Sequence, residues 1–224
     1  MPQIDLLRSL PKTKRSRKIL EERRRVKEAG DDQISRLFGY DYFDGPRDYG
    51  YGGYYLDNRW DQVSIDFINH YKLRDNGDKI LDVGCAKGFL VYAFRRCGMD
   101  AYGIDVSRYA VRNCPSDIVG RIHSGDVMDL PFPDNSFDLV TSINCIHNLH
   151  VRHIPLALKE IQRVSRQNCF ITVDSYETEE QRKDFEDWQL TCRTHMYPEE
   201  WIALFERCGY TGDYDFTILE LEDG

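Results

Sequence analysis

The 224-residue chain has no run approaching eighteen consecutive apolar residues, and no apolar segment follows its charged N-terminus. Neither a membrane span nor a secretory leader is therefore expected. The seven cysteines (Cys85, Cys97, Cys114, Cys145, Cys169, Cys192 and Cys208) never form a C-x-x-C pair. Their odd number and scatter fit reduced thiols in a cytoplasmic protein, mostly buried as small hydrophobes, better than a disulfide framework or a zinc site. Internal repeats and low-complexity tracts are also missing. Basic charge is scarce in the body: beyond residue 30 there are twenty Lys/Arg against thirty-four Asp/Glu. Such a body is poorly suited to neutralising phosphates, which argues against a nucleic-acid partner.

What is present divides the chain into an arm and one domain, as its length suits. Residues 1–30 carry ten Lys/Arg against four Asp/Glu. Lys12 to Ala29 are mostly good helix formers without a regular apolar stripe, ending at Gly30, so residues 1–38 read as a basic helical arm, solvated or dependent on a partner. The arm would suit the acidic body of a second copy in a homodimer, or contact with an RNA. Residues 39–60 include the tyrosine- and glycine-rich stretch YDYFDGPRDYGYGGYY, a candidate lid: glycine permits unusual backbone angles and tyrosine offers flat faces with polar tips. Residues 61–175 form the core. Trp60, Val63, Ile65, Phe67, Ile68 and Tyr71 recur at helical spacing and lead into it. Residues 176–224 form an acceptor-side part, with helices over Glu177–Leu190 and Pro198–Cys208 and one alternating strand, DYDFTILELE.

From Asp78 onward short apolar runs alternate with helical stretches: KILDV, Gly88–Cys97, DAYGIDV, Ser107–Asn113, IVGRIHS, SFDLVTSI, Pro155–Ser165 and NCFITVD. This alternation predicts an α/β, doubly wound, mostly parallel sheet of six or seven strands with helices on both faces. Ligands in such sheets bind at the C-terminal strand ends. The first strand ends in Asp82 and turns through Gly84, Cys85, Ala86 and Gly88 into a helix. Small residues there let a ligand approach the backbone, whereas the carboxylate just before them would repel a phosphate. The next strand-end acids follow at about twenty-residue intervals: Asp105, with Val106, is suited to vicinal ribose hydroxyls, and Asp126, with Gly125 and Val127, to an exocyclic amine. Singly each acid reads as a turn or cap residue; jointly they line one sheet edge.

With these residues in place, Lys79 to Asp174 resembles the class I S-adenosylmethionine-dependent methyltransferases, particularly the small-molecule group with a D-x-G-x-G-x-G turn. The resemblance implies a Rossmann-like fold, S-adenosylmethionine as cofactor and S-adenosylhomocysteine as product. It places the cofactor on Asp82, Gly84, Cys85, Ala86 (where a glycine is usual), Gly88, Asp105, Val106, Gly125, Asp126 and Val127. The family's LPF-x-DxSFD run matches LPFPDNSFDLV, and its fourth-strand stretch under the methionine moiety falls on Ile143 and Asn144. The family often shows paired histidines near His147. The glycine pair usual before the fifth strand is replaced by Arg166-Gln167-Asn168. More narrowly, the lid resembles a bacterial set with a Y-G-Y-G-G-Y…D-x-R-W segment, associated with surface-polysaccharide and secondary-metabolite pathways. Tyr51, Tyr54, Arg59 and Trp60 would then cover the cofactor's methionine end or meet the acceptor, with Asp174 and Tyr176 as further acceptor contacts. Arg59 suits a carboxylate or phosphoryl group.

Methyl transfer from a sulfonium mainly requires two reactants to be positioned and water excluded. For an alcohol acceptor His147 is the candidate catalytic base. His147, His150 and His153 at three-residue spacing invite a metal reading, but Pro155 breaks the helix this would need, and no metal is assigned. The expectation is a bacterial small-molecule methyltransferase acting on an oxygen of a polar metabolite such as a sugar. N-methylation is the near rival; an RNA methyltransferase, an NAD-dependent oxidoreductase and a non-catalytic cofactor-binding module are further alternatives. Against the oxidoreductase, Gly84 to Gly88 lacks the G-x-G-x-x-G spacing. Against a nucleic-acid enzyme, Ser142-Ile143-Asn144-Cys145 is not an N/D-P-P-Y stretch.

Overall fold

The apolar runs Lys79–Val83, Asp100–Asp105, Phe137–Ile143 and Ser165–Ser175 become strands β1, β2, β4 and β5 in the computed structural model, which describes residues 1–75 and 77–222. Ile122–Ser124 (β3) and Asp213–Ile218 (β6) are the edges. The order is β3-β2-β1-β4-β5-β6, and every adjacent pair is parallel. Ile80, Leu81 and Val83 of β1, and Phe170, Ile171 and Val173 of β5, are all buried. That is why these strands read as apolar runs rather than alternating ones: helices cover both faces.

The helices are α1 (Arg17–Glu28), α2 (Asp32–Ser35), α3 (Tyr40–Phe43), α4 (Arg59–Tyr71), α5 (Phe89–Arg96), α6 (Arg108–Arg112), α7 (Ile154–Val164), α8 (Glu179–Trp188) and α9 (Pro198–Arg207). α7 buries Ile154, Ala157, Leu158, Ile161 and Val164, a stripe at helical spacing, and carries Pro155 in its first turn, where the missing N–H is harmless. α8 opens with a capping box in which Thr178 and Gln181 satisfy each other's backbone N–H. Among the described residues no helix is long and apolar enough to cross a membrane.

Three expectations are corrected. The strand expected over residues 118–124 starts only at Ile122, because Gly120 turns the chain at φ 80°. The last strand stops at Ile218, and Leu221 instead pairs with Arg15. The arm keeps much of α1 exposed but docks on the body, and it meets an acidic surface without a second copy. Gln3 pairs with Tyr214 beside β6, and Leu6 and Leu20 are buried. Arg17 bonds Asp184 at 2.7 Å and Arg24 lies 3.5 Å from Asp187, so the acidic surface that α1 meets is α8 of its own chain.

Candidate functional site

The strand order reverses between β1 and β4, and at such a switch point a crevice opens outside the C-terminal strand ends. A cavity of about 700 Å³ lies there, within the range of small-molecule sites. β1 delivers Asp82, Gly84, Cys85 and Ala86 to its wall, and β2 delivers Asp105 and Val106. The loop after β3 adds Gly125, Asp126 and Val127; the end of β4 adds Ile143 and Asn144. Tyr51, Tyr54, Arg59 and Trp60 line it from the lid side, and Asp174 from β5. Gly88, His147 and Tyr176 are not in the wall.

The turn after β1 explains its residues. Gly84 runs at φ 78°, and a Cβ there would come within 2.4 Å of Cys145 Sγ. Gly88 runs at φ 77°, where a Cβ would meet Ile122 Cδ1 at 1.9 Å; it shapes the start of α5 rather than the wall. Ala86 adopts φ 51°, so the position usually given to glycine is left-handed here too, at a cost of about 1 kcal/mol. The Asp105 carboxylate stabilises that turn by accepting from Ala86 N–H and from Ser107 N–H, both at 2.7 Å. Burial raises its pKa and the two amide donors oppose the rise.

Asp82 is 5% exposed and accepts one hydrogen bond, from Thr141 Oγ1 at 2.8 Å. Burial, with Asp105 nearby, pushes its pKa up to about 7 against the pull of Thr141. A cationic ligand group beside it would reverse that cost. The Asp126 carboxylate accepts from Met128 N–H at 2.9 Å and shapes its own loop. Asn144, left-handed at φ 50°, has its side-chain oxygen fixed by Thr172 and Thr217 hydroxyls at 3.1 and 3.0 Å.

His147 sits behind Asp174. It is 4% exposed, and its Nδ1 accepts the backbone N–H of Asp174 at 3.0 Å, which leaves the ring proton on Nε2, 3.5 Å from Asp174 Oδ2. Burial lowers its pKa against the pull of Asp174, and burial raises that of Asp174 against the pull of His147. The ionisable group facing the cavity is thus Asp174, with His147 as its support. Tyr176 is buried under α8, its hydroxyl 3.0 Å from His195 Nδ1. His150 bonds Arg193 and His153 bonds Arg152, each at 3.2 Å, so the three histidines do not converge.

The lid is held by a contact with no local signature in the sequence. Lys87, 6% exposed, reaches both oxygens of Asp44 at 2.7 Å and the carbonyl of Tyr54 at 3.0 Å. Tyr109 OH also bonds Asp44, at 2.6 Å. Burial raises the Asp44 pKa, but Lys87, Tyr109 and the Tyr54 N–H outweigh it and bring it below the ordinary value. Tyr54 stacks on Phe89, the first residue of α5, at 4.6 Å. Arg59 is chelated by Asp57 at 2.6 to 2.9 Å and so lines the cavity as half of an ion pair. Two buried polar atoms of wall residues, Trp60 Nε1 and Asn148 Oδ1, have no partner among the described residues. A polar ligand would satisfy them. With three strand-end carboxylates and a turn open to close approach, the wall fits a nucleoside cofactor bearing an amino-acid tail. Leu7, Leu10, Pro11 and Arg15 of the arm also line the cavity, a role hidden by reading the arm as solvated.

Residues 81–173 match the family described as Methyltransferase domain. The chain is 31% identical over 159 residues to a 2-phytyl-1,4-naphtoquinone methyltransferase of Trichormus variabilis, covering 65% of each. It is 35% identical over 116 residues to a demethylmenaquinone methyltransferase of Symbiobacterium thermophilum (47% of this chain, 45% of that protein). It is 30% identical over 109 residues to the uncharacterized methyltransferase YcgJ of Bacillus subtilis (46% and 42%). The chain thus spans 42 to 65% of the length of these curated relatives. In fold it resembles the YcgJ crystal structure, at TM-score 0.53 and 20% identity, covering 66% of this chain and 68% of that one. It also resembles a SAM-dependent methyltransferase from Archaeoglobus fulgidus, at TM-score 0.54 and 16% identity, covering 67% and 68%.

Proposed function

We infer that this chain, which belongs to the class I S-adenosylmethionine-dependent methyltransferases, transfers a methyl group to an oxygen of a small polar metabolite, such as a sugar or a surface-polysaccharide or secondary-metabolite precursor. One observation carries the reading: Asp82, Asp105 and Asp126 share a single cavity wall with Asp174, which stands two strands away on β5. When bound, S-adenosylmethionine supplies an electrophilic methyl group on a sulfonium and leaves as S-adenosylhomocysteine. Asp105 would hold the ribose hydroxyls, Asp126 the adenine amine and Asp82 the cationic amino-acid end. The turn through Gly84 and Ala86 admits the cofactor to the backbone, and the tyrosine lid excludes water.

Asp174 accepts the proton of the acceptor hydroxyl. Burial raises its proton affinity, which suits a base working near neutral pH. His147 is a positioning residue: its neutral ring aims Nε2–H at Asp174 Oδ2. Asp174→Asn is expected to lower kcat/KM by about 100-fold or more. His147→Gln costs less but moves the rise of activity with pH upward, because the Nε2–H aimed at Asp174 Oδ2, which favours the ionised carboxylate, is lost. An unchanged pH profile in that variant would remove His147 from the mechanism.

The direct test is incubation with methyl-labelled S-adenosylmethionine and a fractionated metabolite pool. Label in the polar, low-molecular-weight fraction as a methyl ether or ester is the expected result. Label on amines would favour N-methylation, and ribonuclease-sensitive label the RNA reading. A second reading has its own support: two curated relatives are named for naphthoquinone-type acceptors, and the cavity is bordered by Phe38, Tyr42 and Trp188. Label in an organic-extractable aromatic fraction would favour it. Cofactor binding with no label on any acceptor would leave a non-catalytic module.

A further inference from the structure

At the end of the cavity bordered by Trp188, the last residue of α8, three guanidinium groups converge on one indole. Arg23, Arg15 and Arg47 stand 3.6, 4.8 and 5.3 Å from its ring centroid. Among the described residues none of the three forms an ion pair. Nearby carboxylates are committed elsewhere: Asp184 to Arg17, Asp187 to Arg24, Asp57 to Arg59 and Glu220 to Lys12. Arg23 is 4% exposed and spends its terminal N–H groups on the carbonyls of Trp188, Arg47 and Gly50, while its Nε is buried without a partner. Arg47 donates to Gly50 O at 2.6 Å. Arg15 lines the cavity, and the indole is its side chain's contact there.

Three guanidiniums so placed repel one another. Burial lowers the pKa of all three guanidiniums; repulsion from Arg47 adds to the effect at Arg15 and Arg23, whereas Tyr51 and Tyr42 oppose it at Arg47. Three like charges around one half-buried ring repel more strongly than in water. The cation–π contacts with Trp188 offset part of that cost without neutralising any charge. An oxyanion would neutralise it, since the guanidinium fork matches carboxylate and phosphoryl geometry.

We propose that the corner formed by Arg15, Arg47 and Trp188 binds an anionic oxygen group, carboxylate or phosphoryl, carried by the methyl acceptor. Arg15 makes the direct contact from the cavity wall, Arg47 adds a second charge and Arg23 fixes the corner's shape. The word acceptor rests on the methyltransferase reading; the anion site does not. It would make the substrate an acidic metabolite and give the docked arm a role in its recognition.

The test is titration of the full chain, alone and saturated with S-adenosylhomocysteine, with inorganic phosphate and with succinate at matched ionic strength, read by calorimetry and melting temperature. The wild-type protein is expected to bind one of the two at millimolar concentration, phosphate identifying a phosphoryl group and succinate a carboxylate. Arg15→Gln and Arg47→Gln should each weaken that binding at least tenfold, about 1.4 kcal/mol. Arg15→Lys, which keeps the charge but not the fork, should regain part of it. S-adenosylhomocysteine affinity should stay within twofold in all three variants. The proposal is overturned if neither anion binds, if the variants bind as the wild type does, or if they lose S-adenosylhomocysteine equally, which would give the corner to the cofactor's own carboxylate. Anion binding that disappears in the variants while wild-type protein ignores S-adenosylhomocysteine would sink the methyltransferase reading and leave the anion site standing.

Discussion

Asp82 shows what a single buried group costs this protein. Its folded pKa of about 7 lies above the ordinary 3.8, so folding favours the protonated form. Its contribution is therefore most favourable below the ordinary value and is lost as pH rises from there to about 7, by up to about 1.4 kcal/mol per pH unit. Urea unfolding of wild type and Asp82→Asn between pH 4 and 8 should show the variant lacking this downward slope; parallel curves would contradict it. Asp105 is expected to behave differently, because its carboxylate already orders the turn. Asp105→Ala should weaken S-adenosylmethionine binding more than tenfold, about 1.5 to 3 kcal/mol for hydrogen bonds to a charged group, as measured by calorimetry. Both acids were legible in the sequence as strand ends. What was not legible was His147's direction: a histidine at a helix start is equally compatible with facing the cavity or supporting Asp174, and only the bond from Asp174 N–H decides.

At the scale of elements, the strands that position the site were readable because parallel strands covered on both faces show as bounded apolar runs. The apolar run 118–124 is longer than its strand, Ile122–Ser124, since Ile118 and Val119 are apolar yet belong to a turn set by Gly120. The lid's composition was visible, but its fastening was not. Lys87 and Asp44 are forty-three residues apart, and no periodicity links them. Lys87→Met is expected to leave Asp44 and Tyr109 without their cation and to free the lid, destabilising the protein by about 3 kcal/mol, as for breaking a buried pair. Hydrogen exchange should rise in residues 40–55 far more than in β4. Uniform exchange changes would mean that the pair serves the whole core and not the lid.

For the whole molecule, the uneven charge distribution shows in the sequence as a basic arm on an acidic body, but the surface that the arm meets does not. Sequence patterning cannot say whether complementary surfaces meet within one chain or between two, and here α1 docks on α8. The reason lies in a few side chains, Leu20 and the Arg23–Trp188 stack, too sparse to register as an apolar stripe. Docking spends part of the arm's charge internally, which weakens the case for RNA. It also makes the arm part of the cavity wall, so that on the proposed reading cofactor, acceptor and arm would share one site. That account depends most directly on which cofactor the cavity takes. Calorimetric titration of the full chain with S-adenosylmethionine, S-adenosylhomocysteine and reduced nicotinamide dinucleotides measures this. Saturable binding of both sulfur nucleosides at one site, with no heat from the nicotinamides, is the predicted result; binding of the nicotinamides alone would contradict it.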